Sequence, residues 1–127
     1  VVGVPSLLAV CLGGAIGSAA RYALGGLVHR FAGSTFPAGT FVVNVVGCLV
    51  FGVIVTLGTE RSLLSTSTRT FLLLGVLGGF TTFSSYAFET LALVRDGEWA
   101  AALGNALGQV LLGVAALWAG SAIARLI

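Results

Sequence analysis

Hydrophobic positions in this chain come in long blocks, not at the spacing of an amphipathic helix or a half-buried strand. Four stretches are nearly free of charge: about residues 6–27, interrupted by Arg21; 39–58, with none; 70–94, with Glu89 toward its end; and 99–124, again with none. A helix needs about 20 mainly apolar residues to cross a hydrocarbon core, and a helix apolar on every side has no face to offer water. The pattern therefore predicts an all-α integral membrane protein of four crossings. Short connections join them into one domain over residues 1–127.

Composition agrees. Hydrophobic residues make up 57% of the chain and charged ones 8%, and mean hydropathy is +1.11. A soluble domain of this content would expose too much apolar surface. The net charge of +2 is small and scattered, which argues against nucleic acid as a partner. Cys11 and Cys48 fall inside spans and read as packing residues, with no disulfide expected. No basic stretch precedes Leu7, so no cleaved signal peptide is expected. Arg61, Arg69 and Arg125 lie on the side that holds both termini, and Arg30 and Arg95 on the other. So even a distribution sets orientation weakly. It permits insertion both ways up with antiparallel pairing, or one orientation fixed by lipid or a partner.

Polar residues inside the spans are few and informative. Gly13, Gly17, Arg21 and Gly25 recur every fourth residue on one helix face. Small residues at that spacing let helices approach closely. Arg21 then meets a crevice, a water-filled vestibule or a partner; alternatively it snorkels to headgroups from near the span's end. Pro37 and Thr40 read as helix-start residues, Thr40 as a cap. Asn44 follows in an apolar helix. Leaving its amide in lipid would cost roughly several kcal/mol, so it faces a neighbouring helix or a pore. In the fourth span Asn105 and Gln109 share a face, with Gly104 and Gly108 beside them as a close-packing pair. Trp99 suits an interfacial belt and Trp118 lies deeper.

The third span carries the strongest signal. Gly78 and Gly79 are followed by Thr81, Thr82, Ser84 and Ser85, all near mid-span. Glycines weaken a helix and hydroxyls compete for its backbone bonds, so a break is predicted. Free backbone groups at membrane depth must be buried in protein or line a cavity. Freed carbonyls suit a small cation; freed N–H groups and hydroxyls suit an anion. Phe83 and Tyr86 share a face if helix resumes, and their positive ring edges either cradle an anion or simply pack. Glu89 either caps a polar vestibule or is solvated at the interface. The chain has no paired carboxylate site, no metal-ligand cluster, no nucleophile with a base and no phosphate loop, so no enzyme is expected.

These residues resemble the CrcB/Fluc family of small fluoride channels over nearly the whole chain. The match rests on Gly13-Gly14, Gly17, Arg21 and Tyr22; on Pro37, Gly39-Thr40, Val43-Asn44 and Gly47; and on Gly78-Gly79-Phe80-Thr81-Thr82-Phe83-Ser84 followed by Glu89-Thr90. The resemblance implies an antiparallel, dual-topology homodimer in the inner (plasma) membrane, with two fluoride pathways. It also implies a structural sodium ion at the dimer centre, held by backbone carbonyls that match Gly78 and Thr81 here. Fluoride is expected to pass Asn44, Phe83, Ser84 and Tyr86, with Thr82 among the hydroxyl donors and Arg21 in the vestibule. Two departures stand out. Tyr86 occupies a position that is often phenylalanine, and Asn105, Gln109 and Gly113 stand where the family often has a tyrosine and serines, so amides are expected to continue the polar track.

Fluoride is small, strongly hydrated and only accepts hydrogen bonds, so a selective path must replace its water with donors in a narrow bore. No energy source is encoded, so passive export that relieves fluoride toxicity is expected. A proton-coupled small multidrug-type exporter is a rival, but it needs a membrane carboxylate and the first span has none. A non-transporting assembly subunit is a second rival, and it leaves the polar track without a purpose. Pairing with a paralogue instead of a second copy stays open.

Overall fold

Each apolar block folds as helix. The computed structural model describes residues 3–33 and 35–127. The elements are α1 (Val4–Ala32), α2 (Ala38–Thr59), α3 (Thr66–Arg69), a π-helical stretch (Thr70–Leu77), α4 (Gly78–Phe80), α5 (Phe83–Arg95) and α6 (Trp99–Leu126). The segment Thr66–Arg95 acts as one crossing, so four crossings are long and apolar enough to span a membrane. No strand occurs among the described residues.

The helices overrun the predicted spans because polar residues at their ends serve as caps. His29 and Arg30 sit in the last turn of α1, where cations suit the negative end of the helix dipole. Gly33 then takes the left-handed conformation at φ 57° and donates its N–H to the His29 carbonyl at 3.2 Å. The Ser65 hydroxyl caps α3 by accepting from the Thr68 N–H at 3.1 Å. Thr40 does not cap α2 as expected. Its hydroxyl donates to Glu89 Oε1 at 2.8 Å, a partner supplied only by tertiary packing.

The third crossing breaks where predicted. Thr81 (φ −83°, ψ 156°) and Thr82 (φ −149°, ψ 115°) are extended between α4 and α5. Ahead of the break the helix is already loosened, with the Gly78 N–H donating to the Leu73 carbonyl five residues back.

Packing pairs α1 with the first half of the third crossing, and α2 with α6. Side-chain-free surfaces make these contacts close. A methyl at Gly17 would overlap the Val76 carbonyl, one at Gly52 the Leu117 carbonyl, and one at Gly120 the Leu49 carbonyl. In α6 the expected pair is different: a methyl at Gly104 would meet nothing within 4 Å, while one at Gly108 would lie 2.9 Å from the Phe41 ring. Below the break a small core of Val43, Leu77 and Phe80 is buried. Much of the remaining apolar surface, including Leu12, Leu111, Val114 and Trp118, faces outward, as lipid contact requires.

One ion pair ties the α2–α3 connection to the end of α6. Arg125 donates to both Glu60 oxygens, at 2.7 and 2.8 Å, and Arg61 donates to the Arg125 carbonyl at 3.2 Å. The hydrogen bond from Arg125 and then its charge hold the Glu60 carboxyl below its ordinary value. The pair is half exposed, so it guides the chain end more than it stabilises the fold.

Replacing Gly52 with alanine should overpack the α2–α6 seam by about 1–3 kcal/mol and lower the thermal unfolding midpoint in detergent. Gly104→Ala, in open space, should leave the midpoint unchanged or raise it.

Candidate functional site

The break leaves peptide groups without helical partners, and Asn44 takes up one residue's worth of them. Thr82 donates its N–H to Asn44 Oδ1 at 2.9 Å, and Asn44 Nδ2 donates to the Thr82 carbonyl at 3.0 Å. The side-chain amide thus pairs with an extended peptide as a neighbouring strand would. Asn44 meets both expected surroundings, since its other Nδ2 hydrogen goes to Gln109 Oε1 on α6 at 2.7 Å and it also lines a cavity. Gly47, one turn on, makes room for the break, since a methyl there would collide with Thr81 and lie 3.3 Å from the Phe80 ring.

The two halves of the broken crossing present opposite polarity. Gly79 offers its carbonyl to Arg21 Nε at 3.0 Å, so Arg21 turns inward across the α1 face instead of snorkelling. The carbonyls of Gly78 and Thr81 receive no hydrogen bond among the described residues, and Gly78 is exposed. They sit at the negative end of the first half. Backbone oxygens are the donors a hard monovalent cation takes, so these two carbonyls fit a structural sodium ion chemically. No cluster of His, Cys, Asp or Glu suited to a metal occurs among the described residues.

The second half starts with its positive end at the break. Thr82 caps it, the hydroxyl accepting from the Ser85 N–H at 3.2 Å and donating to Ser85 Oγ at 3.1 Å. Ser84 Oγ lies 3.3 Å from the same hydroxyl. The N–H groups of Phe83 and Ser84 have no partner among the described residues. A helix N-terminus within a membrane attracts anions.

Two cavities meet at Thr82. One, of about 470 Å³, is lined by Ser18, Arg21, Tyr22, Thr40, Thr82 and Ser85. The other, of about 340 Å³, is lined by Asn44, Thr81, Thr82, Phe83, Tyr86 and Gln109 among others. The first brings a cation and hydroxyls together; the second is largely apolar, with aromatic walls. The Phe83 and Tyr86 rings lie 5.4 Å apart at 44°, so they share a face as expected. Phe83 is 78% exposed in the single chain, which leaves its ring open to whatever covers this surface.

The expected fluoride track is only partly gathered here. Asn44, Thr82, Phe83, Tyr86 and Gln109 line the aromatic cavity. Ser84 is exposed and lines neither cavity. Asn105 is completely buried behind Gln109, whose Nε2 donates to Asn105 Oδ1 at 2.9 Å; Asn105 Nδ2 in turn donates to Thr90 Oγ1 at 2.8 Å. The Tyr86 hydroxyl donates to the Ala106 carbonyl at 2.7 Å, so the phenol is turned toward α6. Helical spacing alone does not pair Thr90 with Asn105 or Thr40 with Glu89. The four-residue spacing from Tyr86 to Thr90 was the available signal, whereas the Thr40–Glu89 contact joins residues 49 apart in sequence. Glu89 Oε2 is buried with no hydrogen-bond partner among the described residues.

Comparison with known proteins agrees along the chain. A family model described as "CrcB-like protein, Camphor Resistance (CrcB)" matches residues 8–121. A protein of Opitutus terrae named fluoride-specific ion channel FluC is 50% identical over 115 residues, covering 89% of this chain and 87% of that protein. One of the same name from Nitratidesulfovibrio vulgaris is 50% identical over 116 residues, covering 91% and 94%. Another, from Solidesulfovibrio magneticus, is 49% identical over 118 residues, covering 93% and 94%.

Replacing Tyr86 with phenylalanine should keep the ring and lose the bond to Ala106. Thermal unfolding should then show a loss of about 1 kcal/mol, within the range for one such hydrogen bond.

Proposed function

The chain belongs to the CrcB family, and from that we propose that it is a passive, fluoride-selective channel that lets fluoride leave the cytoplasm across the inner membrane and so relieves its toxicity. The observation that carries this reading is the break at Thr82, where the positive end of α5 opens between an Arg21-lined cavity and an aromatic one. Arg21 raises the local concentration of anions and disfavours cations. Thr82, Ser85 and the N–H groups at the start of α5 supply donors that replace fluoride's water. Phe83 and Tyr86 supply positive ring edges where the walls are otherwise apolar. An ion bound by weak, successive sites can leave as readily as it enters, which rapid conduction requires.

The working unit in this reading is an antiparallel dimer, with pairing to a paralogue the alternative. The exposure of Phe83 and Gly78 supports a cover over this face. Two copies would supply the Gly78 and Thr81 carbonyls from each to a structural sodium ion, which would neutralise the negative helix ends where they meet.

The decisive experiment is fluoride efflux from liposomes containing only this purified protein, with chloride efflux measured alongside. Rapid fluoride release with little chloride is expected, insensitive to a proton uncoupler. No fluoride release from folded protein would overturn the reading, and uncoupler-sensitive transport would favour an exporter. Phe83→Ile keeps bulk but removes the ring edge, and should reduce fluoride flux at least about tenfold, the change that follows from roughly 1.4 kcal/mol of lost stabilisation at a barrier.

A further inference from the structure

The amides behind the break form a hydrogen-bonded chain with a fixed direction. Asn44 donates to Gln109, Gln109 to Asn105, Asn105 to Thr90, and Thr90 to the Tyr86 carbonyl at 2.7 Å. Side-chain amide orientation is deduced from such networks, and here both ends dictate it. The Thr82 N–H can only donate, so Asn44 must turn Oδ1 to it and Nδ2 to Gln109. Gln109 must then present its oxygen to Asn44 and its nitrogen to Asn105. At the far end the Thr90 hydroxyl has one proton, which goes to a backbone carbonyl, so its oxygen accepts from Asn105. Reversing Gln109 alone would set nitrogen against nitrogen at Asn44 and oxygen against oxygen at Asn105.

Burial gives this chain its force. Asn105 is 0% exposed and Gln109 7%. A mismatched amide at Asn105, which lines neither cavity, has no water to turn to, and such networks act as a unit. The bonds run from Asn44 on α2 through Gln109 and Asn105 on α6 to Thr90 on α5, the helix that begins at the break.

We propose that Gln109, held by Asn105 and Thr90, is a positioning residue of the channel: it fixes which way the Asn44 amide faces, and through Asn44 it keeps the Thr82 peptide extended and the start of α5 aimed between the two cavities. Gln109 acts through Asn44 and does not itself bind the ion. The transport part of this inference rests on the channel reading; the structural part does not.

The test compares Gln109→Met, which keeps length and removes both amide contacts, with Thr90→Val, which keeps shape and removes the hydroxyl farthest from the break. Solid-state NMR of the protein in lipid reads the Thr82 backbone amide and the Asn44 side-chain amide. Liposome efflux reads the maximum fluoride rate and the half-saturating concentration. Both variants should shift the Thr82 and Asn44 signals. Gln109→Met should lower the maximum rate by about tenfold and Thr90→Val by less, with half-saturation changing under about twofold, as mispositioning without lost ion contact predicts. Unmoved Thr82 and Asn44 signals in folded variants would overturn the proposal. So would a raised half-saturation in Gln109→Met with Thr90→Val silent, which would make Gln109 a direct ligand. Absence of flux in the unmodified protein would sink the channel reading alone, since the Thr82 and Asn44 signals still decide the positioning role.

Discussion

A peptide without hydrogen-bond partners is hard to keep inside a membrane, and the pairing of Asn44 with Thr82 is what makes the broken crossing possible. One carboxamide supplies an acceptor to the Thr82 N–H and a donor to its carbonyl, at 2.9 and 3.0 Å. Without it, both groups would face an apolar interior, each at a penalty of about 1–3 kcal/mol. With it, two helix ends of opposite sign can stand at the middle of the molecule, one offering carbonyls and the other N–H groups.

The other features arrange themselves around that point. Arg21 covers the Gly79 carbonyl from α1, and the Thr82 hydroxyl caps α5. Gly47 leaves the space that Thr81 occupies. Bare glycine surfaces bring α1 onto the first half of the crossing and α2 onto α6, which holds Asn44 and Gln109 within reach of each other. Packing does this work because lipid offers no hydrophobic drive between helices.

In the channel proposed above, the same geometry would separate positioning from conduction. Hydroxyls and ring edges line the cavities, whereas Asn105 lies wholly behind them and the Tyr86 phenol is held by α6. Polar residues in a membrane protein therefore do not all face the ion. Some hold the backbone that does.

The sequence by itself determined the four crossings, the break and its position. Long charge-free blocks have only one stable form in a bilayer, and paired glycines followed by hydroxyl residues weaken a helix wherever they lie. It also placed Phe83 with Tyr86, and Asn105 with Gln109, because helical spacing puts them on common faces. What the tertiary structure alone decided is how the polar groups are shared out. Thr40 could cap its own helix or reach Glu89, and Arg21 could snorkel or turn to Gly79. Asn44 could face a helix neighbour or a pore, and it pairs with the Thr82 peptide while lining the aromatic cavity. Each choice was made by a partner at least 38 positions away in the chain. Local spacing reports which residues share a helix face, but only packing determines what that face meets.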